Sequence, residues 1–109
     1  MAFSVFLTED AAGDLEDIYT YIAQHDSPGK AEKVLDQIEK KLIGLSDQPG
    51  RGVYPNELLA LGIRDYREIF FKPYRIIYRE IGNKVYVYLI ADGRRDMQTL
   101  LLRRLLRGG

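Results

Sequence analysis

The sequence predicts an α+β domain: an N-terminal strand, a helix hairpin packed on an antiparallel sheet, and a C-terminal helix. Three observations carry this. Apolar residues recur at helical spacing in two runs between residues 9 and 45, separated by one short break. Residues 66–91 alternate with a period of two, are rich in aromatic and β-branched side chains, and are cut by turn signals. After residue 97 a leucine–arginine segment returns to helical spacing. A chain of 109 residues is long enough for one core and too short for two, so one domain spanning 1–109 is expected.

Phe3, Val5 and Leu7 alternate with Ser4 and Phe6, a short strand apolar enough to be partly covered on both faces. Thr8 can cap a helix, and Glu9 and Asp10 then lie in its first turn, where negative charge is favoured. Ala11, Leu15, Ile18, Tyr19 and Ile22 form the apolar stripe of that helix, which ends near His25. Asp26-Ser27-Pro28 breaks and restarts the pattern: Ser27 can cap, and Pro28 suits the first helical position. Ala31, Val34, Leu35, Ile38, Leu42 and Leu45 mark a second amphipathic helix, stopped at Pro49-Gly50. So short a connection makes an antiparallel hairpin. Neither helix can bury its stripe alone, so the pair must cover a sheet.

Residues 51–63 read as a loop with a helical turn at Glu57–Leu61. Strands are expected at Tyr66–Lys72, Tyr74–Glu80 and Val85–Ala91, joined by turns at Pro73 and Gly82-Asn83. Connections this short make them antiparallel. Strict alternation puts Arg75 and Arg79 on one face with Ile77, opposite Tyr74, Ile76 and Tyr78. It sets Val85, Val87 and Leu89 against Tyr86, Tyr88 and Ile90. Met97–Leu106 is the terminal helix. The helix hairpin covers one face of the sheet, and the face with arginines and tyrosines is expected to be partly open.

Composition excludes several classes. Without cysteine there is no disulfide framework and no thiolate metal site, and a reducing compartment is the simplest home. No apolar run reaches membrane-spanning length, and the N-terminus lacks the basic start and cleavage pattern of a signal peptide, so a cytoplasmic protein without a membrane partner is expected. The acids cluster on helix faces with no His/Cys set beside them, which offers no metal site, and no glycine loop is built to cradle a phosphate-bearing cofactor. His25, the lone histidine, sits at a predicted helix end without a nucleophile nearby.

The formal net charge of zero hides a division. Residues 1–50 carry four bases and ten acids, a net −6, whereas residues 51–109 carry twelve bases and six acids, a net +6. Ten of those twelve bases are arginines, suited to forked contacts with phosphate or carboxylate. Arg64, Tyr66, Arg67, Lys72, Arg75, Tyr78, Arg79, Arg94 and Arg95 form an arginine–tyrosine set. Two readings fit it: a surface binding RNA or stabilising a phosphorane-like transition state, or an ordinary solvated strand face neutralised by Asp65, Glu68, Glu80, Asp92 and Asp96. An exposed arginine is cheap to remove, unless it pairs with a buried carboxylate such as Asp92 or Asp96.

The whole chain resembles the RelE/ParE superfamily, toxins of bacterial type II toxin–antitoxin modules. The resemblance rests on the order of TEDAAGDLEDIYTYI, SPGKAEKVLDQIEKKLIGL, PGRG and IRDYREIFFKPYRIIYREIGNKVYVYLIADGRRD. Its most specific parts are Tyr74-Arg75-Ile76-Ile77-Tyr78 and Asp92-Gly93-Arg94-Arg95-Asp96. It implies a small growth-inhibiting toxin neutralised by a cognate antitoxin that wraps across its surface. RelE-like members resemble ribosome-dependent mRNA endonucleases, and ParE-like members inhibit DNA gyrase. In the nuclease pattern Arg67 matches the first strand lysine, Arg75 the arginine of YR-x-x-Y, and Arg95 the later arginine. Ile69 replaces the second lysine, and Leu101 falls near the expected C-terminal aromatic. Arginine is a poor general base, so the resemblance favours the ParE-like branch, a plasmid-stabilisation toxin without a complete nuclease site; the alternative is a RelE-like endonuclease acting on ribosome-bound mRNA. Arg67, Arg75, Arg94, Arg95, Leu101, Leu102 and Leu105 are the expected partner contacts.

Overall fold

Each predicted element forms, and the differences lie in what covers the sheet. The computed structural model describes residues 3–106; Met1, Ala2 and residues 107–109, with Arg107 of the basic count, lie outside the described residues. Strand β1 (Ser4–Leu7) leads into helix α1 (Glu9–His25), capped by the Thr8 hydroxyl, which accepts from Ala11 N. Helix α2 (Pro28–Gly44) starts with Ser27 accepting from Lys30 N and with Pro28 in the first turn. After a 3-10 turn at Pro49–Arg51 and a short helix α3 (Asn56–Leu59) come β2 (Arg67–Phe71), β3 (Tyr74–Ile81), β4 (Lys84–Asp92) and helix α4 (Met97–Leu106).

The sheet order is β1-β4-β3-β2. The last three strands make the expected antiparallel meander, whereas β1 pairs with β4 in parallel. The long return from β1 through the helix hairpin permits that direction.

Two cores sandwich the sheet. On one face Ala11, Ile38, Leu42 and Leu45 of the hairpin region pack on Ile69, Ile76, Tyr78, Val85, Val87 and Ile90. On the other, Leu58 of α3 and Met97 and Leu101 of α4 pack on Ile77, Leu89 and Ala91. The second face, expected to be partly open, is therefore closed at the α4 end. The reason is that α4 buries its leucine stripe within the chain.

The strict alternation expected in β4 also breaks. The register steps from Ile77↔Leu89 to Tyr78↔Val87, leaving Tyr88 without an opposite residue. One extra residue inverts which side chains point where. Ile90 thus joins Val85 and Val87 under the hairpin, and Leu89 turns toward α4.

A candidate partner-docking groove

Strand β1 ends at Leu7, but its neighbour β4 runs on to Asp92. The outer edge of β4 beyond Val87 therefore has no strand beside it, and side chains satisfy it instead. Asp14 of α1 accepts from Ile90 N (2.9 Å), and Arg104 of α4 donates to Tyr88 O (2.8 Å). Arg104 also grips Asp14 in a forked pair (2.8 and 3.0 Å). This clasp joins α1, β4 and α4, and Asp14 holds the Arg104 guanidinium above its usual pKa.

Past the clasp, α1 and the end of β4 leave a groove of ≈ 390 Å³. Ile18, Tyr21 and Ile22 form one wall and Tyr74, Ile90 and Ala91 the other, with Arg94 and Arg95 at the mouth. Tyr21 is 63% exposed and stacks on His25 at 4.1 Å. Burial raises the Tyr74 phenol above its usual pKa. The Arg94 guanidinium forks onto Asp92 (2.9 and 2.6 Å), a pairing that holds the Asp92 carboxyl low. Arg95 is exposed and makes no ion pair among the described residues. Asp14, Asp17 and Asp92 also line the groove. It thus combines apolar and aromatic walls with a mixed-charge rim, on which Arg95 is the cation without a carboxylate among the described residues, a chemistry that suits an amphipathic peptide.

Arg67 lies elsewhere. It donates to Gly52 O (3.0 Å) and the Tyr54 hydroxyl (3.3 Å), and its guanidinium stands 4.6 Å from the Tyr54 ring centre. Neutral groups hold it, and among the described residues no carboxylate pairs with it. It lines a small cleft with Arg64 and Arg79, whose acids are Asp65 and Glu80.

Arg75 has a different fate. It is the expected residue of its face, but that face is covered there. Its Nε donates to Glu68 (2.7 Å), and both terminal nitrogens donate to Glu57 (2.9 and 2.7 Å). Arg75 thus pins α3 to the sheet. It draws the Glu57 carboxyl below the ordinary carboxylate range, while burial pushes Glu68 up despite the same partner. Asp92 and Asp96, the carboxylates expected to bury an arginine, bond Arg94 and Thr99 at the surface instead.

The model for the ParE toxin of type II toxin–antitoxin systems, parDE, matches residues 5–97. The chain belongs to the ParE toxin family. Its fold is similar to the chromosomal ParDE toxin–antitoxin system of P. aeruginosa, with a TM-score of 0.71 and 23% identity over 84% of this chain and 96% of that one. It is also similar to a free, arginine-substituted E. coli RelE toxin, with a TM-score of 0.64 and 16% identity over 98% of each chain. At these identities the likeness is one of fold. No curated protein matches the chain.

Within this ParE-family chain, the arginines marked from the sequence do not converge. Arg67 pairs across the ladder with Tyr78, on the hairpin face, whereas Arg75 pairs with Phe70 on the other. Arg95 is in the turn before α4. Leu101, expected on a partner surface, is fully buried because it is the centre of the α4 stripe. Leu102 and Leu105 are half-buried, and Leu106 is 82% exposed. Sequence reading missed Tyr21 and Tyr74 as groove walls and Arg104 as a clasp. Tyr21 follows Ile18 by one helical turn, a signal that was present; Arg104 and Asp14 are ninety residues apart and carry none. Among the described residues, no group of acids and histidines could hold a metal ion, and no helix is long and apolar enough to cross a membrane.

Proposed function

We propose that this chain is the toxin of a plasmid-stabilisation type module, that a cognate antitoxin neutralises it through the α1–β4 groove, and that its cytoplasmic target is DNA gyrase. The choice of target rests on one observation. Arg67 and Arg75 lie on opposite faces of the sheet, and Arg75 is spent on Glu57 and Glu68. Three arginines held apart cannot stabilise one scissile phosphate. Ile69 and Leu101 are aliphatic and buried in the two cores, so neither supplies a proton-transfer group or a stacking ring where the nuclease pattern wants one. Inhibition by protein–protein contact needs no such constellation.

For the antitoxin, the groove favours an amphipathic segment with apolar anchors, an acidic residue against Arg95 and a hydrogen-bonding group beside the Arg94–Asp92 pair. Leu102 and Leu105 stand as further contacts, and Arg67 as a contact for partner or target. Induction in a bacterial host tests the reading. Filamentation and DNA-damage signalling, reversed by the product of the adjacent reading frame, are expected. Harmless induction of soluble protein counts against a toxin. Ribosome-bound mRNA cut at codon positions, with supercoiling untouched, moves the target to the ribosome and the chain to the enzymes.

A further inference from the structure

Strand β1 is the last strand on one side of the sheet, and among the described residues no strand pairs with its outer edge. Ser4 N donates to Asn83 O (3.2 Å) and Thr8 N to Val87 O (3.0 Å). Residues of a parallel strand bond to one neighbour alternately, so Ser4, Phe6 and Thr8 face β4 while the peptide groups of Val5 and Leu7 point away from it. Upstream, Phe3 N reaches Ser46 O (2.6 Å), which closes that end of the edge. The N–H and C=O groups of Val5 and Leu7 have no such partner among the described residues. Folded proteins blunt an edge like this with lysine, proline or a bulge. Ser4–Leu7 carries none of these and no charge at all. Phe6 is 44% exposed and Leu7 37%.

We propose that β1 is a self-association edge, at which two copies of this chain pair antiparallel about a two-fold axis through Phe6. The register follows from which groups are unused. Val5 must face the second copy's Leu7, and Leu7 its Val5, because only those residues point outward. Each pair exchanges two hydrogen bonds, and the two Phe6 residues meet at the axis as a non-hydrogen-bonded pair, with Cα atoms about 4.5 Å apart. Phe6 already stacks on Tyr86 at 5.6 Å. Pairing therefore builds a continuous row of rings, Tyr86 and Phe6 from each copy, on the face of the sheet opposite the helix hairpin.

A two-fold interface requires a patch complementary to itself. This edge satisfies that in three ways. Its free groups are symmetric about Phe6, its strand has no charge to repel its own image, and only a second copy supplies the second ring. The contact is a four-residue strand edge, so weak, concentration-dependent association is expected.

The chain has no cysteine, which makes the register directly testable. In Phe6→Cys the paired sulfurs fall within disulfide reach, whereas in Ser4→Cys the two sites lie roughly 13 Å apart. Under mild oxidation the full-length Phe6→Cys protein is expected to cross-link at least about tenfold faster than Ser4→Cys. In sedimentation velocity the unmodified chain should dimerise with rising concentration, and Phe6→Lys, which sets two charges at the axis, should weaken this by about tenfold or more. A chain monomeric at all attainable concentrations overturns the proposal. So does a dimer indifferent to Phe6→Lys, or equal cross-linking at the two cysteine positions. Should Phe6→Lys fail to fold, the cysteine pair decides alone.

Discussion

Replacing Arg75 with alanine should be the most damaging single change among the arginines marked from the sequence. Its side chain is 13% exposed and makes three bonds of 2.7–2.9 Å to two carboxylates. The Glu68 side chain is 6% exposed, so removing Arg75 leaves a buried carboxylate uncompensated. Breaking a buried pair this way costs about 3–5 kcal/mol. At about 4 °C per kcal/mol for a domain of this size, the melting temperature should fall by about 12–20 °C. Glu68→Gln should cost far less, about 1 kcal/mol, because Arg75 keeps its forked pair with Glu57 and a buried charge is removed. The pH dependence separates the two acids. Glu57 is held below 4.5 in the folded state, so its stabilising contribution is present above that pH and is lost as pH falls through its lowered pKa. Glu68 is raised above 4.5, so its contribution is present in acid and is lost as pH rises through its raised pKa. Melting of Arg75→Ala, Glu57→Gln and Glu68→Gln between acid and neutral pH measures all of this. An Arg75→Ala protein melting within about 2 °C of the parent would show that Arg75 does not hold α3 to the sheet.

Arg104→Ala should free α4 from α1 and β4 at a cost of about 2–3 kcal/mol, less than for a fully buried pair, and hydrogen exchange should quicken at Ile90 and along α4. Tyr78→Phe removes a buried hydroxyl that accepts from Gly52 N and donates to Pro49 O, and should cost about 2–3 kcal/mol by denaturant titration. Gly52→Ala should unfold that loop, since a Cβ there would stand 2.8 Å from Glu68 O; a stable, natively melting variant would show the loop to be looser than described. Arg94→Ala and Arg95→Ala should leave the melting temperature unchanged and weaken antitoxin binding by calorimetry, whereas unchanged affinity would remove them from the docking surface.

The fold was legible from residue 3 onward because each element announces itself locally. Thr8, Ser27 and Pro28 mark helix starts that the structure keeps, and Pro73 and Gly82-Asn83 mark the strand turns. What escaped was non-local. Nothing near Tyr88 signals the bulge that turns Leu89 and Ile90 to opposite faces. The partners of Arg75 come from α3 and β2, 18 and 7 residues away, so its alternation was right and its surroundings were not. The leucines of α4 could not be divided into buried and exposed before the helix was known to lie on the sheet. The candidate groove was half legible: Arg94 and Arg95 mark its mouth, but its walls exist only because β1 stops short of β4.

DNA supercoiling by purified gyrase, with this chain added alone and then together with the antitoxin from the adjacent reading frame, is the most direct test of the account. Dose-dependent loss of supercoiling that the antitoxin restores is the predicted result. Full supercoiling at every toxin concentration, with the same preparation cleaving mRNA on ribosomes, would contradict it.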